Sequence, residues 1–311
     1  MKILLIGGGG FVGFHLGNAL RRKGHEVFAA DLPRIAEACP EMFPVDLTDV
    51  SSVENLLKQI RPDRIFLLAA VSSVPLSWKN PDLTVNVNVL GPLNVLHAME
   101  KIVPQARLIY IGSGEEYGTI CSEDHPFTED MPCSPCNPYA VTKYASGRLL
   151  ELRSVKQGLD LVHLRPLNHF GPGQKEGFVV ADFCAQIVRA EIGEADPVLK
   201  VGNLASKRDF LYVDDVIEAY CIIAQAEKCP HRTYNISTGR IYPIQDILDF
   251  LVSQAKVKIR TEVDPAKFRP VDSRALIASN QRIHDDFGWN PETSLEDGLN
   301  KTLNWWRAKL G

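Results

Sequence analysis

The chain has no long hydrophobic run and no large excess of one charge. Its 311 residues contain no apolar stretch of about 18 residues, the length that a transmembrane helix needs. The apolar run at residues 3–6 ends in glycine and is too short for the hydrophobic core of a secretory signal. With 34 basic and 38 acidic residues, the net charge of −4 favours neither nucleic acid nor an anionic membrane as partner. We therefore expect a cytoplasmic protein.

The cysteines also lack the regular spacing of a disulfide framework or a zinc site. There are seven, an odd number scattered through the chain, which is typical of reduced thiols. Cys121, His125, Cys133 and Cys136 could in principle supply four zinc ligands. Cys133 and Cys136 lie in a proline-containing segment with no second Cys-x-x-Cys pair, so we interpret them as loop thiols and predict no metal.

Short apolar runs alternate with helical patterns through the first half of the chain. This order favours an α/β fold, a Rossmann-type doubly wound parallel sheet. After Arg165-Pro166 the pattern becomes irregular, which indicates a smaller, discontinuous lobe. We predict a dinucleotide-binding domain from 1–165 plus about 207–228, and a substrate lobe from about 166–206 plus 229–311. Strands are predicted at 2–6, 25–30, 64–70, 108–112 and 159–164, and helices at 49–60 and 81–101.

A glycine-rich segment follows the first strand and precedes a helix that runs to Arg22. Free amides and the partial positive charge at such a helix start suit a pyrophosphate. Two dinucleotide fingerprints fit, one spaced from Gly8 and one from Gly7, and both include Gly10 and Gly13. The segment therefore predicts a nicotinamide dinucleotide site without deciding between the two spacings.

Asp31 ends the second strand, 18 residues after Gly13. A carboxylate there accepts hydrogen bonds from the adenosine ribose hydroxyls and repels a 2′-phosphate, so NAD(H) is preferred. Arg34 could meet such a phosphate, which keeps NADP(H) possible.

Tyr139 and Lys143 are spaced to share one helix face. A cation beside a phenol lowers the pKa of the phenol, which could then exchange a proton with a sugar oxygen near neutral pH. Ser113 follows a predicted strand, at the edge where open α/β sheets bind ligands. Asn86 and Asn88 interrupt the apolar pattern of the 81–101 helix, and we predict that they are buried with structural partners.

These motifs, in this order, resemble the extended short-chain dehydrogenase/reductase family, whose members act on nucleotide-diphosphate sugars. The resemblance covers essentially the whole chain. Four further segments look like those of GDP-4-keto-6-deoxy-D-mannose reductases: LNHFGPGQ (167–174), GFVVADF (177–183), VGNLASKRDFLYVDDV (201–216) and FRPVD (268–272).

The resemblance implies a role for each matching residue. Tyr139 would donate a proton, Lys143 would hold the nicotinamide ribose, and Ser113 would bond the C4 oxygen of the sugar. The expected cofactor-binding residues are Gly7, Gly10, Phe11, Val12, Gly13, Asp31, Asp46, Leu47, Ala69 and Lys143. The expected catalytic residues are Ser113, Glu115, Tyr139 and Lys143, and the expected substrate-binding residues are Ser72, Ser113, Glu115, Asn168, Arg208 and Arg269.

The implied reaction is reduction of the C4 ketone of a GDP-sugar, from GDP-4-keto-6-deoxy-D-mannose to GDP-D-rhamnose. A 4,6-dehydratase stays open because Glu115 occupies the place of its glutamate, and a 4-epimerase is a third possibility.

The resemblance also implies a homodimer. Its interface would include Val87, Leu90, Leu93 and Leu96, although these residues suit a monomer core equally well. Departures from the family pattern are Leu67 in place of a histidine, Gly114 in place of a serine, and Asp31 itself.

Overall fold

Strands and helices alternate through the first half of the protein. The structure, a computed structural model, describes residues 1–118, 125–268 and 275–311. The strands are β1 (Lys2–Ile6), β2 (Glu26–Asp31), β3 (Phe43–Pro44), β4 (Arg64–Leu67), β5 (Arg107–Ile111), β6 (Asp160–Pro166), β7 (Asn168–Phe170), β8 (Val198–Val201), β9 (Lys207–Arg208), β10 (Phe210–Tyr212), β11 (Thr233–Ile236), β12 (Tyr242–Pro243), β13 (Arg260–Val263) and β14 (Ala275–Leu276). The helices are α1 (Phe11–Arg22), α2 (Pro33–Ala36), α3 (Val50–Ile60), α4 (Val74–Lys79), α5 (Pro81–Val85), α6 (Gly91–Ile102), α7 (Pro138–Gln157), α8 (Val179–Glu191), α9 (Val213–Gln225), α10 (Ile244–Ser253), α11 (Gln281–Phe287) and α12 (Leu295–Leu310).

Seven of the described strands form a parallel sheet in the order β11-β6-β5-β4-β1-β2-β3. The chain builds outward from β1 to β3 and then returns to β4 on the other side of β1. This reversal confirms the predicted doubly wound fold, and it opens a crevice at the carboxyl ends of β1 and β4.

The sheet has a hydrophobic core on each face. Alternate residues of β1 enter different cores: Ile3 and Leu5 pack with α1, α8 and α9, whereas Leu4 and Ile6 pack with α3 and α6. A strand that is apolar on both sides is typical of a parallel sheet covered by helices. Among the helices that the structure describes, none is long and apolar enough to cross a membrane.

The second half adds three small sheets, ordered β10-β7, β12-β9-β14 and β13-β8. The sequence-based division placed everything from residue 229 onward in the second lobe, and for β11 this differs from the structure. β11 pairs in parallel with β6, with Thr233 opposite His163, and so extends the large sheet. Its inclusion depends on a long-range pairing that local patterns do not reveal.

The helix predicted at 81–101 is interrupted. Residues Asn86–Leu90 form a π-helical segment, in which the amide of Gly91 donates to the carbonyl of Asn86. Pro92 follows, and because it lacks an N–H it cannot bond the carbonyl of Asn88 in the α-helical pattern. Asn88 is buried as predicted, but Asn86 is exposed, so the prediction for Asn86 was wrong.

Candidate active site

The glycine loop between β1 and α1 forms an open cradle. Gly7 has a φ of +93°, and a Cβ there would lie 2.6 Å from the backbone nitrogen of Ala69, so a larger residue would not fit. A Cβ at Gly10 would approach only the carbonyl oxygen of Gly7, at 3.3 Å, so its outer side is open to a ligand. Among the residues that the structure describes, no side chain caps the α1 amino terminus. These residues fit a pyrophosphate, although the packing allows both fingerprint spacings.

Asp31 lies at the carboxyl end of β2, beside the glycine loop. Its Oδ2 accepts a hydrogen bond from the amide of Gly9 at 3.0 Å, and its Oδ1 accepts one from the amide of Leu32 at 2.8 Å. The side chain is half-buried. Each carboxylate oxygen retains a lone pair, so the group can still accept from ribose hydroxyls.

Asp46 and Leu47 follow β3, on the same edge of the sheet. Asp46 is half-buried, and its Oδ1 accepts from the backbone and the hydroxyl of Thr48, at 2.9 and 2.7 Å. Leu47 is buried and its carbonyl accepts from Asn94 at 2.8 Å. These contacts hold the turn in place on the side where the adenine is expected.

Ser113 and Tyr139 meet beyond the carboxyl end of β5. Ser113 is 8% exposed, and its hydroxyl accepts a hydrogen bond from the amide of Glu115 at 3.1 Å. The same serine lies close enough to the hydroxyl of Tyr139 to affect the pKa of that phenol. The helix predicted around Tyr139 and Lys143 is confirmed as α7. The structure therefore brings together a serine and a tyrosine that are 26 positions apart in the sequence.

The pKa of Tyr139 is raised, whereas the sequence predicted that Lys143 would lower it. Burial is the largest cause, because it penalises the phenolate. The nearby side chain of Ser113 opposes this shift, and the charges of Glu115 and Glu116 add to it. Tyr139 is consequently protonated at neutral pH.

Lys143 is buried and directed towards β5. Its Nζ donates to the carbonyl of Ile111 at 2.7 Å and lies 5.2 Å from the centre of the Tyr110 ring. Burial lowers the pKa of Lys143 to about 8, and the charge of Glu116 opposes this shift. The ammonium is thus partly deprotonated at the alkaline end of the physiological range.

Asn137 links Glu115 to the start of α7. Its Oδ1 accepts from the amide of Ala140 at 2.9 Å, which caps the helix. Its Nδ2 donates to Oε2 of Glu115 at 3.0 Å. One amide side chain thus holds Glu115 beside the helix that carries Tyr139, a contact that the sequence analysis missed.

Asn88 joins the loop after β4 to α7. Its amide bonds both the N–H and the carbonyl of Val71, at 2.8 and 3.1 Å, and donates to the hydroxyl of Thr142 at 3.1 Å. Ala69 and Ser72 lie in this loop. Ala69 packs against the glycine cradle, and Ser72 is exposed. The buried asparagine therefore fixes the loop relative to the helix.

Two of the predicted substrate residues, Asn168 and Arg208, lie on separate small sheets. Asn168 begins β7 and is half-buried, whereas Arg208 ends β9, is 5% exposed and donates to the carbonyl of Lys207 at 2.8 Å. The register of β10 with β7 places Asn168 opposite Phe210, two residues beyond Arg208. Arg269 lies outside the described residues, so its role stays a prediction.

Asp209, beside Arg208, is a further residue that the sequence analysis missed. It is fully buried, and its carboxylate accepts from the backbone and hydroxyl of Thr238 and from the amide of Gly239. These bonds tie the loop after β11 to the strand that carries Arg208.

Cys121 also lies outside the described residues. Within the described ranges, no three histidine, cysteine, aspartate or glutamate side chains converge as metal ligands would.

Glu116 is a second fully buried acidic residue that the sequence analysis missed. It is fully buried behind Ser113 and contacts His163 and Arg165 of β6. A signal for it was available, because serine followed by glutamate three positions later is the pattern of a capping box. The structure contains that box around the turn Gly114–Tyr117.

Comparisons with known proteins place this chain among enzymes of nucleotide sugars. A family model described as GDP-mannose 4,6 dehydratase matches residues 4–302. The GDP-6-deoxy-D-mannose reductase of Pseudomonas aeruginosa is 33% identical over 310 residues, which are 99% of this chain and 98% of that protein.

Two solved structures show the same likeness. The structure of RMD from Pseudomonas aeruginosa complexed with NADPH matches with a TM-score of 0.86 and 32% identity, over 99% of each chain. The UDP-glucose 4-epimerase of Thermus thermophilus, in complex with NAD, matches with a TM-score of 0.87 and 29% identity, over the full length of both chains.

Proposed function

The chain belongs to the extended short-chain dehydrogenase/reductase family, in the group that the GDP-mannose 4,6 dehydratase model describes, and on this premise we propose that it is a reductase of a nucleotide sugar. The proposed reaction is reduction of the C4 ketone of GDP-4-keto-6-deoxy-D-mannose to give GDP-D-rhamnose. The related GDP-6-deoxy-D-mannose reductase supports this choice of sugar and nucleotide.

The observation that carries the proposal is that the side chain of Ser113 lies beside a protonated Tyr139. Reduction of a ketone needs a proton donor at the oxygen that becomes an alcohol. Because burial raises the pKa of Tyr139, its hydroxyl retains the proton that it must give. Ser113 stabilises the negative charge that develops on the same oxygen.

A bound nicotinamide supplies the hydride. The residues of the chain bind and orient: Gly7, Gly10, Phe11, Val12 and Gly13 at the pyrophosphate, and Asp31 at the adenosine ribose. We propose NAD(H) as the preferred cofactor and NADP(H) as possible, since related structures hold NADPH or NAD.

The remaining site residues complete the proposal. Lys143 would hold the nicotinamide ribose, and Asp46, Leu47 and Ala69 would contact the rest of the cofactor. For the sugar nucleotide, Asn168, Arg208 and Arg269 would bind the diphosphate, with Ser72 and Glu115 nearer the sugar. Guanidinium groups suit phosphates because their two parallel N–H donors can each bond one phosphate oxygen.

One observation favours a second candidate, a GDP-mannose 4,6-dehydratase. Glu115 lies two residues after Ser113, where a dehydratase would use a glutamate, and Asn137 holds its carboxylate beside the helix of Tyr139. A 4-epimerase is a third candidate, since UDP-glucose 4-epimerases are among the relatives.

A product assay separates the three candidates. We expect the protein to consume NADH or NADPH with GDP-4-keto-6-deoxy-D-mannose and to leave GDP-mannose unchanged. Tyr139→Phe removes the proton donor and keeps the ring, so turnover should fall by at least ~10²-fold while NADH binding is nearly unchanged. Loss of water from GDP-mannose, detected by mass spectrometry, would instead identify a dehydratase. Inversion at C4 without net oxidation of NADH would identify an epimerase.

We propose a cytoplasmic homodimer that pairs through α7 and the helices before it. Leu149, Leu152 and Val155 of α7 support this, because they are 43%, 59% and 60% exposed.

Apart from β11, the lobe division stays as proposed: 1–165 plus about 207–228 for the cofactor, and about 166–206 plus 229–311 for the sugar nucleotide.

A further inference from the structure

Glu116 lies directly behind the proposed catalytic serine. Its side chain is fully buried, so it cannot touch a substrate. Its Oε1 accepts from the backbone amide of Ser113 at 2.9 Å and lies 3.1 Å from Nε2 of His163. Its Oε2 accepts from Nε of Arg165 at 3.0 Å. Both carboxylate oxygens are therefore held by fixed partners.

Two glycines make room for the Glu116–His163 pair. A Cβ at Gly112 would lie 2.2 Å both from Oε1 of Glu116 and from Nε2 of His163. A Cβ at Gly147, on α7, would lie 2.5 Å from Cε1 of His163. The pair thus occupies the space between the end of β5 and the helix that carries Tyr139 and Lys143.

Tyr110 provides a second link across the same space. Its ring centre lies 5.1 Å from that of His163, and its hydroxyl donates to the carbonyl of Lys143 at 3.2 Å. Glu116 is thus linked directly to the backbone of Ser113, and through His163 and Tyr110 to the backbone of Lys143.

Glu116 is ionised, and its charge reaches the proposed catalytic groups. Burial opposes ionisation of the carboxyl, but His163 and Arg165 of β6 outweigh it, so the pKa of Glu116 lies below its usual value. The carboxylate in turn raises the pKa of Lys143 against the effect of burial. It also raises the pKa of Tyr139 on α7 and of Tyr110 on β5.

We propose that Glu116 is a positioning residue: it holds Ser113 in place through the backbone amide and places a negative charge at the end of β5, where the carbonyl of Ile111 binds Lys143. The activity readout of this inference rests on the proposed reductase function, and the binding readout does not. Glu129 offers a matched control. Its carboxylate is 3% exposed and binds the amide of Asn235 at 2.8 Å.

Glu116→Gln removes the charge and preserves the shape of the side chain. We expect kcat with the keto sugar to fall at least ~10-fold with KM little changed, because the amide nitrogen of glutamine cannot accept from Arg165 as Oε2 does, so the side chain holds Ser113 less firmly. The alkaline limb of the kcat profile, set in the parent by Lys143 near pH 8, should move down by about one pH unit. Glu129→Gln should lower stability without moving that limb.

NADH binding, followed by cofactor fluorescence, tests the charge effect without turnover. Affinity in the parent should decline above about pH 8, where Lys143 loses its proton, and the decline should begin at lower pH in Glu116→Gln. If the keto sugar is not turned over but this shift is seen, the proposed function fails and the inference about Glu116 stands. An unchanged pH dependence of binding, or an equal shift in Glu129→Gln, would overturn it.

Glu116→Asp separates the two effects and serves if Glu116→Gln does not fold. The shorter side chain retains the charge but withdraws from the amide of Ser113. We expect reduced kcat with the alkaline limb at its parent position. Parental kcat in this variant would refute the positioning of Ser113, and a shifted limb would refute the charge effect.

Discussion

Asp31 is the residue on which we expect the choice between the two nicotinamide cofactors to depend. Its carboxylate is fixed by the amides of Gly9 and Leu32, at the carboxyl end of β2. A 2′-phosphate there would meet a carboxylate, and the ribose would lose the hydrogen bonds of its hydroxyls. Arg34 is exposed on α2, three residues away, and could recover part of this loss.

We predict that NADH is used better than NADPH. Loss of a charge-assisted contact costs on the order of 1.5–3 kcal/mol, or about 10- to 150-fold in affinity. Asp31→Ser should narrow or reverse the ratio, since serine can still bond Gly9 and no longer repels a phosphate. The measurement is kcat/KM for both cofactors in both proteins.

A tenfold preference of the parent for NADPH would contradict this prediction. It would show that the carboxylate does not face the ribose, and that the NADPH-bound structural relative is the better guide. Arg34→Ala provides the control, because it should weaken NADPH and leave NADH nearly unchanged.

At the scale of the element, Arg107 caps the carboxyl end of α9. The residue is 1% exposed and lies at the start of β5, at the edge of the sheet opposite the proposed site. Its guanidinium donates to the carbonyls of Ile223, Ala226 and Glu227, at 3.0, 2.7 and 3.0 Å. These carbonyls have no partner within the helix, so the buried cation both bonds them and complements the helix dipole.

We predict that Arg107→Met lowers the free energy of unfolding by about 3 kcal/mol, since it leaves buried carbonyls without their donor. Urea unfolding measures this change, and kcat of the remaining folded enzyme should stay near that of the parent.

Arg64→Met is the matched control for that variant. Arg64 makes one hydrogen bond to α9, from its Nε to the carbonyl of Ala224 at 3.0 Å, and is only half-buried. Its replacement should cost about 1 kcal/mol. Equal losses in the two variants would show that capping by Arg107 is not what stabilises α9.

The whole molecule exposes an apolar face along α7 and the helices before it. Of the four residues predicted for a dimer interface, Leu96 is fully buried in the core of the monomer, and Val87 and Leu93 are not among its exposed large hydrophobic residues. Leu90 is 48% exposed, and the nearby Val85 is 44% exposed. For Leu96 the structure therefore favours the monomer core, one of the two places that the sequence left open, and the interface itself stays a proposal.

We predict that light scattering at micromolar concentration gives twice the chain mass of 34.6 kDa. Replacing Leu152 and Val155 together by glutamate should give the monomer mass, because two charges cannot be buried at an apolar interface. Val263→Glu is the control, since this valine on β13 is 59% exposed and lies away from the face. A monomer mass for the parent would contradict the dimer.

The sequence alone determined the features that depend on neighbouring residues. The glycine loop, the placement of Ser113 at a strand end, and the shared helix of Tyr139 and Lys143 follow from turn chemistry and periodicity. The interruption at Pro92 was also available, because the missing N–H is a property of proline.

The tertiary structure decided what depends on desolvation and on distant partners. The sequence predicted a lowered pKa for Tyr139 from Lys143, but burial raises it, and burial is set by elements far along the chain. Glu116 is ionised in the interior because His163 and Arg165, 47 and 49 residues away, lie against it. Since a buried charge needs partners that offset its desolvation, only the tertiary structure, which brings β6 behind Ser113, could show what holds Glu116 there.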